Sequence, residues 1–391
     1  MPHPFGIRNR DEVRAMAQQC VAELSTLIGR SKASPQAIRD IAEGQRITAE
    51  RSARLEIADD LDAVQRLFRE RGWSDGLPVI PPTAARVERM LAAHAPESIV
   101  AVVAPAFGVA TVEAIAINAV AAGCEPAYLP VLIAAVKAVA EPQFNLQAIQ
   151  ATTNSVAVWT LISGPLARTL EVNAGMNCLG QGTWANATIG RALHLVLQNI
   201  GGARPGGMDR ATHGQPGKLS FCCAENEAES PWEPLHVQRG FDRAQSTVTV
   251  IGAEGTMNMN THTKDAGELL RAFAETMQHP PSNEYTHGGE PWLILSPEHA
   301  QILHKAGLSK ADVQRELWER SRMPASRMTD RDLLRVHDSR TDELGTIAPD
   351  TLLPIAQRPQ DIGLIVAGGP GTHSVYVPCF GNSYAVTMPI G

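Results

Sequence analysis

Val156-Ala-Val-Trp-Thr-Leu-Ile162 is followed at once by Ser163-Gly-Pro165, so a run of apolar and β-branched residues ends in a turn. Such a run predicts a buried strand, and the glycine and proline predict where it stops. Similar β-branched runs before glycine turns occur at residues 99–103, 247–251 and 362–366, in most cases ahead of a helical segment. Strands that alternate with helices are typical of βα units, so the sequence predicts an α/β fold with at least partly parallel sheets.

The sequence predicts three parts that differ in residue composition and spacing. Residues 1–72 carry charges at helical spacing, which predicts a helical N-terminal arm. Leu77-Pro-Val-Ile-Pro-Pro82 then has too many prolines for a helix and indicates a linker. Because a chain of 391 residues exceeds the size at which a single core stops growing, we expect two α/β lobes, residues 73–240 and 241–391.

A pair of helices is punctuated clearly near residue 300. Ser296 is a predicted N-cap with Pro297 at the first helical position, and Gly307 is a predicted stop. Ser309, three residues before Asp312, then predicts a second helix that opens with a capping-box-like pair.

The composition is typical of a metabolic enzyme of the cytoplasm. With 34 basic and 41 acidic side chains and no basic stripe, nucleic acid is not an expected partner. The six cysteines lack a framework spacing, which favours a reducing compartment. The N-terminus lacks the apolar stretch of a signal peptide, and charged or polar residues interrupt every long apolar run, so we expect no membrane contact. We also expect a homo-oligomer.

The segment 201–217 is the richest in candidate site residues. Its six glycines and two prolines exclude a helix or an interior strand, yet it carries Arg204, Asp209 and His213. Long polar loops on rigid scaffolds often form functional sites, so we predict Arg204 as an anion-binding residue and Asp209 and His213 as acid–base residues. The alternative is a solvated surface loop.

Cys222 and Cys223 follow this loop and are adjacent, so in a strand one of them faces the core. A reactive cysteine needs a base or a positive neighbour, and His213 is close enough in sequence to supply one. Glu225 and Glu227 share one face of a strand, as paired acid–base carboxylates do. We predict Cys222 and Glu225 as catalytic residues; a buried structural thiol and a hydrated carboxylate are the alternatives.

Gly368-Gly-Pro-Gly-Thr-His373 follows an apolar strand directly. Successive backbone N–H groups in such a turn can form a concave site for a carboxylate or phosphate. We therefore predict Gly368, Gly369, Gly371 and His373 as substrate-binding residues, with a simple chain reversal as the alternative.

A further anion-binding position is predicted where a glycine loop meets a helix that starts near Asn186 or Thr188. Helix N-termini attract anions, and Arg191 one turn later offers a guanidinium fork, so Asn186 and Arg191 are candidate substrate-binding residues. Cys124 and Cys178 are interpreted as structural.

Five stretches carry a resemblance to a known family: Trp73-Ser-Asp-Gly-Leu-Pro-Val-Ile-Pro-Pro-Thr83, Ala104-Pro-Ala-Phe-Gly-Val109, residues 204–227, Ser230-Pro-Trp232 and Ser296-Pro-Glu-His-Ala300. The chain resembles an uncharacterised bacterial family found beside, or together with, small UGSC-motif (seleno)proteins. The resemblance implies a small partner with a selenol or thiol, and thiol or redox chemistry at a shared site. The chain has no Gly-Ser-Cys segment of its own, so its redox group would be Cys222 or come from elsewhere.

Three functional hypotheses follow. The leading one is an enzyme for a small, carboxylate-bearing organic molecule that works by thiol- or redox-linked chemistry. The second is a metal-assisted hydrolase or lyase built from Asp209, His213, Glu225 and Glu227, although their spacing matches no dedicated metal motif and no metal ligand is assigned. The third is a non-catalytic subunit that works with a small redox partner. No familiar hydrolase or oxidoreductase motif is present, and no cofactor is predicted.

Overall fold

A computed structural model describes residues 11–15, 18, 49 and 51–391. The chain forms two compact units, Met1–Ala49 and Glu50–Gly391. In the first unit the described residues 11–15 and 18 are helical. The rest of the predicted arm up to residue 48 lies outside the described residues, and residues 61–71 form a helix of the second unit.

The second unit consists of helices, two four-stranded sheets and two small strand pairs. The α-helices are α1 (Leu61–Arg71), α2 (Ala84–Leu91), α3 (Val112–Ala122), α4 (Leu129–Ala140), α5 (Leu146–Ala151), α6 (Leu166–Thr169), α7 (Trp184–Asn199), α8 (Leu235–Gln238), α9 (Ala266–Met277), α10 (Asn283–His287), α11 (Pro297–Lys305), α12 (Lys310–Arg320) and α13 (Asp330–Leu344). The strands are β1 (Ile99–Val103), β2 (Gly108–Thr111), β3 (Ala157–Ser163), β4 (Cys222–Ala224), β5 (Thr247–Ala253), β6 (Met257–Asn260), β7 (Trp292–Leu295), β8 (Met323–Pro324), β9 (Leu352–Leu353), β10 (Gly363–Val366), β11 (His373–Val377) and β12 (Val386–Pro389).

The two large sheets have the same arrangement of strands: in each, three strands occupy equivalent positions and run in equivalent directions, and the fourth comes from elsewhere in the chain. The first is β12-β5-β3-β4 and the second, read in the same sense, is β6-β11-β7-β10. In each, one parallel pair (β3 with β4, β7 with β10) is extended by two antiparallel strands. β6 follows β5 along the chain but pairs in the second sheet, and β12 follows β11 but pairs in the first. The sheets therefore exchange their last strands.

The structure confirms the predicted α/β class with partly parallel sheets. It differs from the predicted alternation of strands and helices at two places. β1 pairs antiparallel with β2 instead of leading directly into a helix, and β5 is followed by β6. The first large sheet combines strands from both sides of residue 240. The proposed division into lobes at that residue stays a prediction.

Three hydrophobic clusters show how the layers stack. Between the sheets lie Trp159 and Trp292, with ring centroids 5.8 Å apart in an edge-to-face arrangement. The other face of the first sheet packs against α3, α4 and α7, and that of the second against α9, α11 and α12. Because helices or the other sheet cover both faces, all seven residues of β3 are buried and its sequence is almost continuously apolar.

The predicted helix pair near residue 300 is confirmed. The Ser296 hydroxyl accepts a hydrogen bond from the His299 N–H, and Ser309 and Asp312 form the reciprocal capping box. Among the described residues, no helix is both long enough and apolar enough to cross a membrane.

Candidate functional site

The carboxyl ends of the two parallel strand pairs meet at one edge of the molecule. The Glu225 N–H donates to the Ile162 carbonyl at 3.0 Å, and the Asn226 N–H donates to the Val366 carbonyl of the other sheet at 2.8 Å. Ligands of α/β proteins bind preferentially beyond the carboxyl ends of parallel strands. We therefore expect a ligand-binding site at this edge.

A loop of residues 173–183 covers this edge and contacts both sheets. The Asn173 carbonyl accepts a hydrogen bond from the Ala224 N–H at 3.2 Å, and the Ala174 carbonyl accepts one from the Gly368 N–H at 2.8 Å. Asn177 adopts a left-handed backbone, and a Cβ on Gly180 would lie 2.2 Å from its side-chain oxygen. A side chain at position 180 would displace the Asn177 amide, which donates to the Gln181 carbonyl at 2.8 Å within the loop.

Asn186, one of the predicted substrate-binding residues, holds this loop in place. Its Oδ1 accepts from the Asn173 N–H at 2.8 Å, and its Nδ2 donates to the carbonyls of Asn173 and Cys178, both at 3.0 Å. The sequence predicts that this helix starts near Asn186 or Thr188. In the structure α7 starts at Trp184, so Asn186 lies inside the helix. Its amide is fully engaged by the loop.

Cys178 sits at the centre of the loop and is oriented into the cluster between the sheets, near Cys223. A hydrogen bond from the Cys223 thiol lowers the pKa of Cys178, against the opposing effect of burial. Backbone N–H groups of Cys178, Leu179 and Gly368 lower this pKa further. Two of these N–H groups are shared, because that of Cys178 also donates to Gly175 and that of Gly368 to Ala174.

Cys223 differs from Cys178 although the two are neighbours. It is fully buried, and its hydrogen bond to Cys178, together with burial, raises its pKa well above the ordinary value. Thiol–disulfide exchange needs a thiolate to attack and a second thiol to resolve the mixed disulfide. Cys178 is 6% exposed and its pKa is lowered, so it suits the first role, and Cys223, which is fully buried with a raised pKa, suits the second.

Glu225 lies at the same edge but is enclosed. Its Oε2 accepts from the Ser163 hydroxyl at 3.1 Å and from the Leu235 N–H at 2.8 Å, while its buried Oε1 has no hydrogen-bond partner in the described part of the chain. Burial raises the pKa of Glu225, and the nearby Lys310 partly offsets the effect. Glu227 is next to it, where its Oε1 accepts from the Gly164 N–H at 2.5 Å.

The predicted residues of segment 201–217 lie at the opposite end of the first sheet. The Thr212 N–H donates to the Thr153 carbonyl at 2.9 Å, ahead of β3, whereas Glu225 follows β4. Asp209 is paired with Lys218 at 2.6 Å, and Arg204 and His213 are exposed. The expected convergence of this loop with Cys222 and Glu225 is not what the structure shows, because β4 separates the two ends.

Cys222 is on the helix-facing side of β4, in the cluster with α7. Gly190 of α7 lies directly above it, and a Cβ there would be 3.2 Å from the Cys222 Cβ. Burial raises the pKa of Cys222, which makes it a packing residue rather than a nucleophile in this structure.

Two other candidate anion-binding side chains already have partners. Arg191 makes a bidentate ion pair with Asp75, at 2.7 and 2.9 Å, and also donates to the Pro78 carbonyl at 2.9 Å. His373 begins β11, and its Nδ1 lies 3.0 Å from Asn258 Oδ1. Neither side chain points its free donors at Cys178.

The predicted substrate-binding glycines after β10 lie beside the Cys178 loop. Gly368 contacts the Cys178 loop through its N–H, and its carbonyl accepts from Asn226 Nδ2 at 3.4 Å. Gly369 packs against Met176, since a Cβ on it would be 3.0 Å from the Met176 Cβ. Gly371 has open space around it.

Sequence reasoning missed Cys178 as a functional candidate. The available signal was Asn177-Cys178-Leu-Gly180, a cysteine between an asparagine and a glycine in a loop just before a helix. Nothing local indicated that residues 223 and 368 would lie beside it.

Comparisons with protein-family models, with curated proteins and with solved structures found no match for this chain. Within the described ranges, no group of three or more His, Cys, Asp or Glu side chains is arranged to hold a metal ion.

Proposed function

We propose that the chain is a thiol-dependent enzyme for a small, carboxylate-bearing molecule, with Cys178 as the reactive group. The observation that carries the proposal is the position of Cys178 beside a second thiol, beneath backbone N–H groups at the carboxyl ends of two parallel strand pairs. Hydrogen-bond donors stabilise a thiolate, and the thiolate is the nucleophilic form of cysteine.

The two thiols support a balanced exchange reaction with a disulfide or selenenylsulfide of a small partner. The Cys178 thiolate attacks one sulfur, forms a mixed disulfide and releases the other half as a thiolate or selenolate. Cys223 then loses its proton and attacks the Cys178 sulfur, which releases the second half and leaves a Cys178–Cys223 disulfide. Two electrons pass from the protein to the partner, and the reverse sequence restores the dithiol.

An open groove of about 770 Å³ adjoins the glycine loop and is the proposed substrate entrance. Pro370, next to Gly369, forms one wall, and the start of α11 forms another. Lys264 and Lys305 line the groove and offer cations for a substrate carboxylate, although three acidic residues also line it, namely Glu229, Asp265 and Glu298. The N–H groups of Gly369 and Gly371 are the second proposed anchor.

The small thiol or selenol partner implied by the family resemblance belongs to this proposal, as do a homo-oligomeric state and a cytoplasmic location. The second candidate is a non-catalytic subunit that works with that partner. The same dithiol could exchange with the partner in either case. The metal-assisted alternative has no favouring observation among the described residues, because the segment with Asp209 and His213 contacts the chain before β3, whereas Glu225 and Glu227 follow β4.

The test is residue-resolved alkylation of the native protein. The experiment uses a Cys20→Ser background, because Cys20 lies outside the described residues. We expect iodoacetamide to modify Cys178 at least about tenfold faster than Cys222, measured by peptide mass spectrometry. Cys178→Ser should abolish the fast phase, while the matched control Cys222→Ala should keep it. Fast alkylation of Cys222 and a silent Cys178 would overturn the proposal.

A further inference from the structure

A second cavity lies at the other end of the sheets, where β5 and β11 end. The Ala253–Cys379 bridge joins these two strand ends, and because β5 runs antiparallel to β3, they are remote from the Cys178 edge. The cavity measures about 420 Å³ and opens between α5, α10, α13 and the segment 380–382. Eight of its twelve lining residues have polar side chains, and it shares no residue with the site proposed above.

Four asparagines make up half of the polar lining residues: Asn145, Asn154, Asn283 and Asn382. Asn145 and Asn382 both have left-handed backbones, with φ of 56° and 61°, and Asn145 Nδ2 donates to the Asn382 carbonyl at 3.2 Å. Residues in sparsely populated backbone regions tend to cluster at ligand sites. Side-chain amides offer both donors and an acceptor, so they match hydroxyl or amide groups of a ligand.

Glu254 fixes the orientation of the other two amides. Its Oε1 accepts from Asn154 Nδ2 at 2.7 Å and from Asn283 Nδ2. Because both nitrogens are turned toward Glu254, the amide oxygens are turned away from it, and that of Asn154 accepts from the Val156 N–H at 2.8 Å. Within the described residues Asn283 Oδ1 has no hydrogen-bond partner, so it is free to accept from a ligand hydroxyl or N–H.

One cation completes the lining. Arg335 NH2 lies 3.1 Å from His287 Nε2, and His287 Nδ1 lies 2.7 Å from the Ser339 hydroxyl. Since a guanidinium only donates, Nε2 is an acceptor, and His287 is neutral with its proton on Nδ1. Among the residues that the structure describes, Arg335 makes one ion pair, with Asp332 at 3.4 Å, so several of its N–H groups remain for a ligand.

We propose that this cavity binds a small hydroxylated or amide-bearing carboxylate, with Arg335 on the carboxylate and the asparagine amides on the neutral polar groups. A guanidinium holds a carboxylate through two parallel hydrogen bonds, which orients the ligand as well as attracting it. The remaining lining fits a hydrated polyol-like chain better than an apolar body, because Phe380 is its main apolar side chain.

The experiment is ligand titration by calorimetry on the full chain with matched probes. D-gluconate is compared with D-sorbitol, and L-malate with its diamide, so that each pair differs in the carboxylate. We expect millimolar or tighter binding of the acids and at least about tenfold weaker binding of the neutral partners. Failure of both acids to bind at millimolar concentration, or equal binding of acid and neutral partner, overturns the proposal.

Two variants locate the site. Arg335→Gln should weaken binding of gluconate by about tenfold or more, whereas Arg331→Gln, one turn earlier on α13 and outside the cavity, should not. Asn382→Gly keeps the left-handed backbone and removes only the amide, so it should weaken gluconate more than unsubstituted succinate. Unchanged affinity in Arg335→Gln, or equal losses in both arginine variants, contradicts the assignment.

Discussion

At the scale of single residues, the environment of each thiol decides what it can do. Cys222 lies in the apolar cluster beneath α7, and burial raises its pKa; the Cys124 thiol donates to the Thr188 carbonyl at 3.3 Å, and burial raises its pKa to about 12. Cys178 is hardly more exposed than Cys222 but has donors around its sulfur. Donors rather than solvent exposure therefore distinguish Cys178, the proposed nucleophile, from Cys222.

Carboxyl groups at the same scale differ in the same way. Burial raises the pKa of Glu254 to about 7, with a contribution from the charge of Glu284, while the hydrogen bonds from Asn283 and Asn154 act in the opposite direction. A carboxyl that holds its proton in the folded state, but not in the unfolded chain, makes stability depend on pH.

We expect the free energy of unfolding to fall as pH rises from about 5 to about 8, because folded Glu254 binds a proton over this range and the unfolded carboxyl does not. Glu254→Gln keeps the Oε1 acceptor and removes the titration, so it should flatten the curve by up to about 3 kcal/mol. Urea unfolding across this pH range measures it. The control is Glu319→Gln at an exposed position; a Glu254→Gln curve parallel to the wild-type curve would contradict the assignment.

At the scale of elements, the proline-rich linker is held by side chains instead of by a regular ladder. Gln65 of α1 bonds both backbone groups of Val79, at 2.8 and 3.1 Å, in the manner of a neighbouring strand. Asp75 binds Arg191 of α7 with little solvent exposure on either side chain. Helix α7 thus carries the Cys178 loop through Asn186 at its start and the linker through Arg191.

Asp75→Ala should lower the free energy of unfolding by about 3 kcal/mol, because it leaves the Arg191 guanidinium largely buried without a counter-ion. Denaturant titration measures the loss. Glu316→Ala removes the partner of Arg320 in an exposed pair on α12 and should cost less than about 1 kcal/mol. Equal losses in the two variants would show that the Asp75 pair carries no special weight.

At the scale of the whole molecule, two sheets of identical order face each other and exchange their last strands. At the other edge of each sheet the carboxyl ends of β4 and β10 lie side by side, and the Cys178 loop contacts both sheets there. The same exchange joins the ends of β5 and β11 at the opposite edge, beside the asparagine-lined cavity. Both candidate sites therefore lie where the two large sheets meet.

The sequence predicted the local elements well and their partners poorly. The apolar runs at 247–251 and 362–366 are strands, and Ser296 and Ser309 begin helices, because these outcomes depend on neighbours along the chain. A strand that is apolar on both faces, such as β3, carries no mark of which strand pairs with it. Cys178 was overlooked for this reason, since its donors come from Cys223 and Gly368 through the sheet pairing.

Oxidation with excess glutathione disulfide is the sharpest experiment on whether Cys178 and Cys223 form an exchangeable dithiol. After alkylation of the remaining thiols and digestion, mass spectrometry should find a peptide pair linked through Cys178 and Cys223, which reduction separates again. A protein whose Cys178 stays reduced under these conditions, or links to another cysteine instead, would contradict the account.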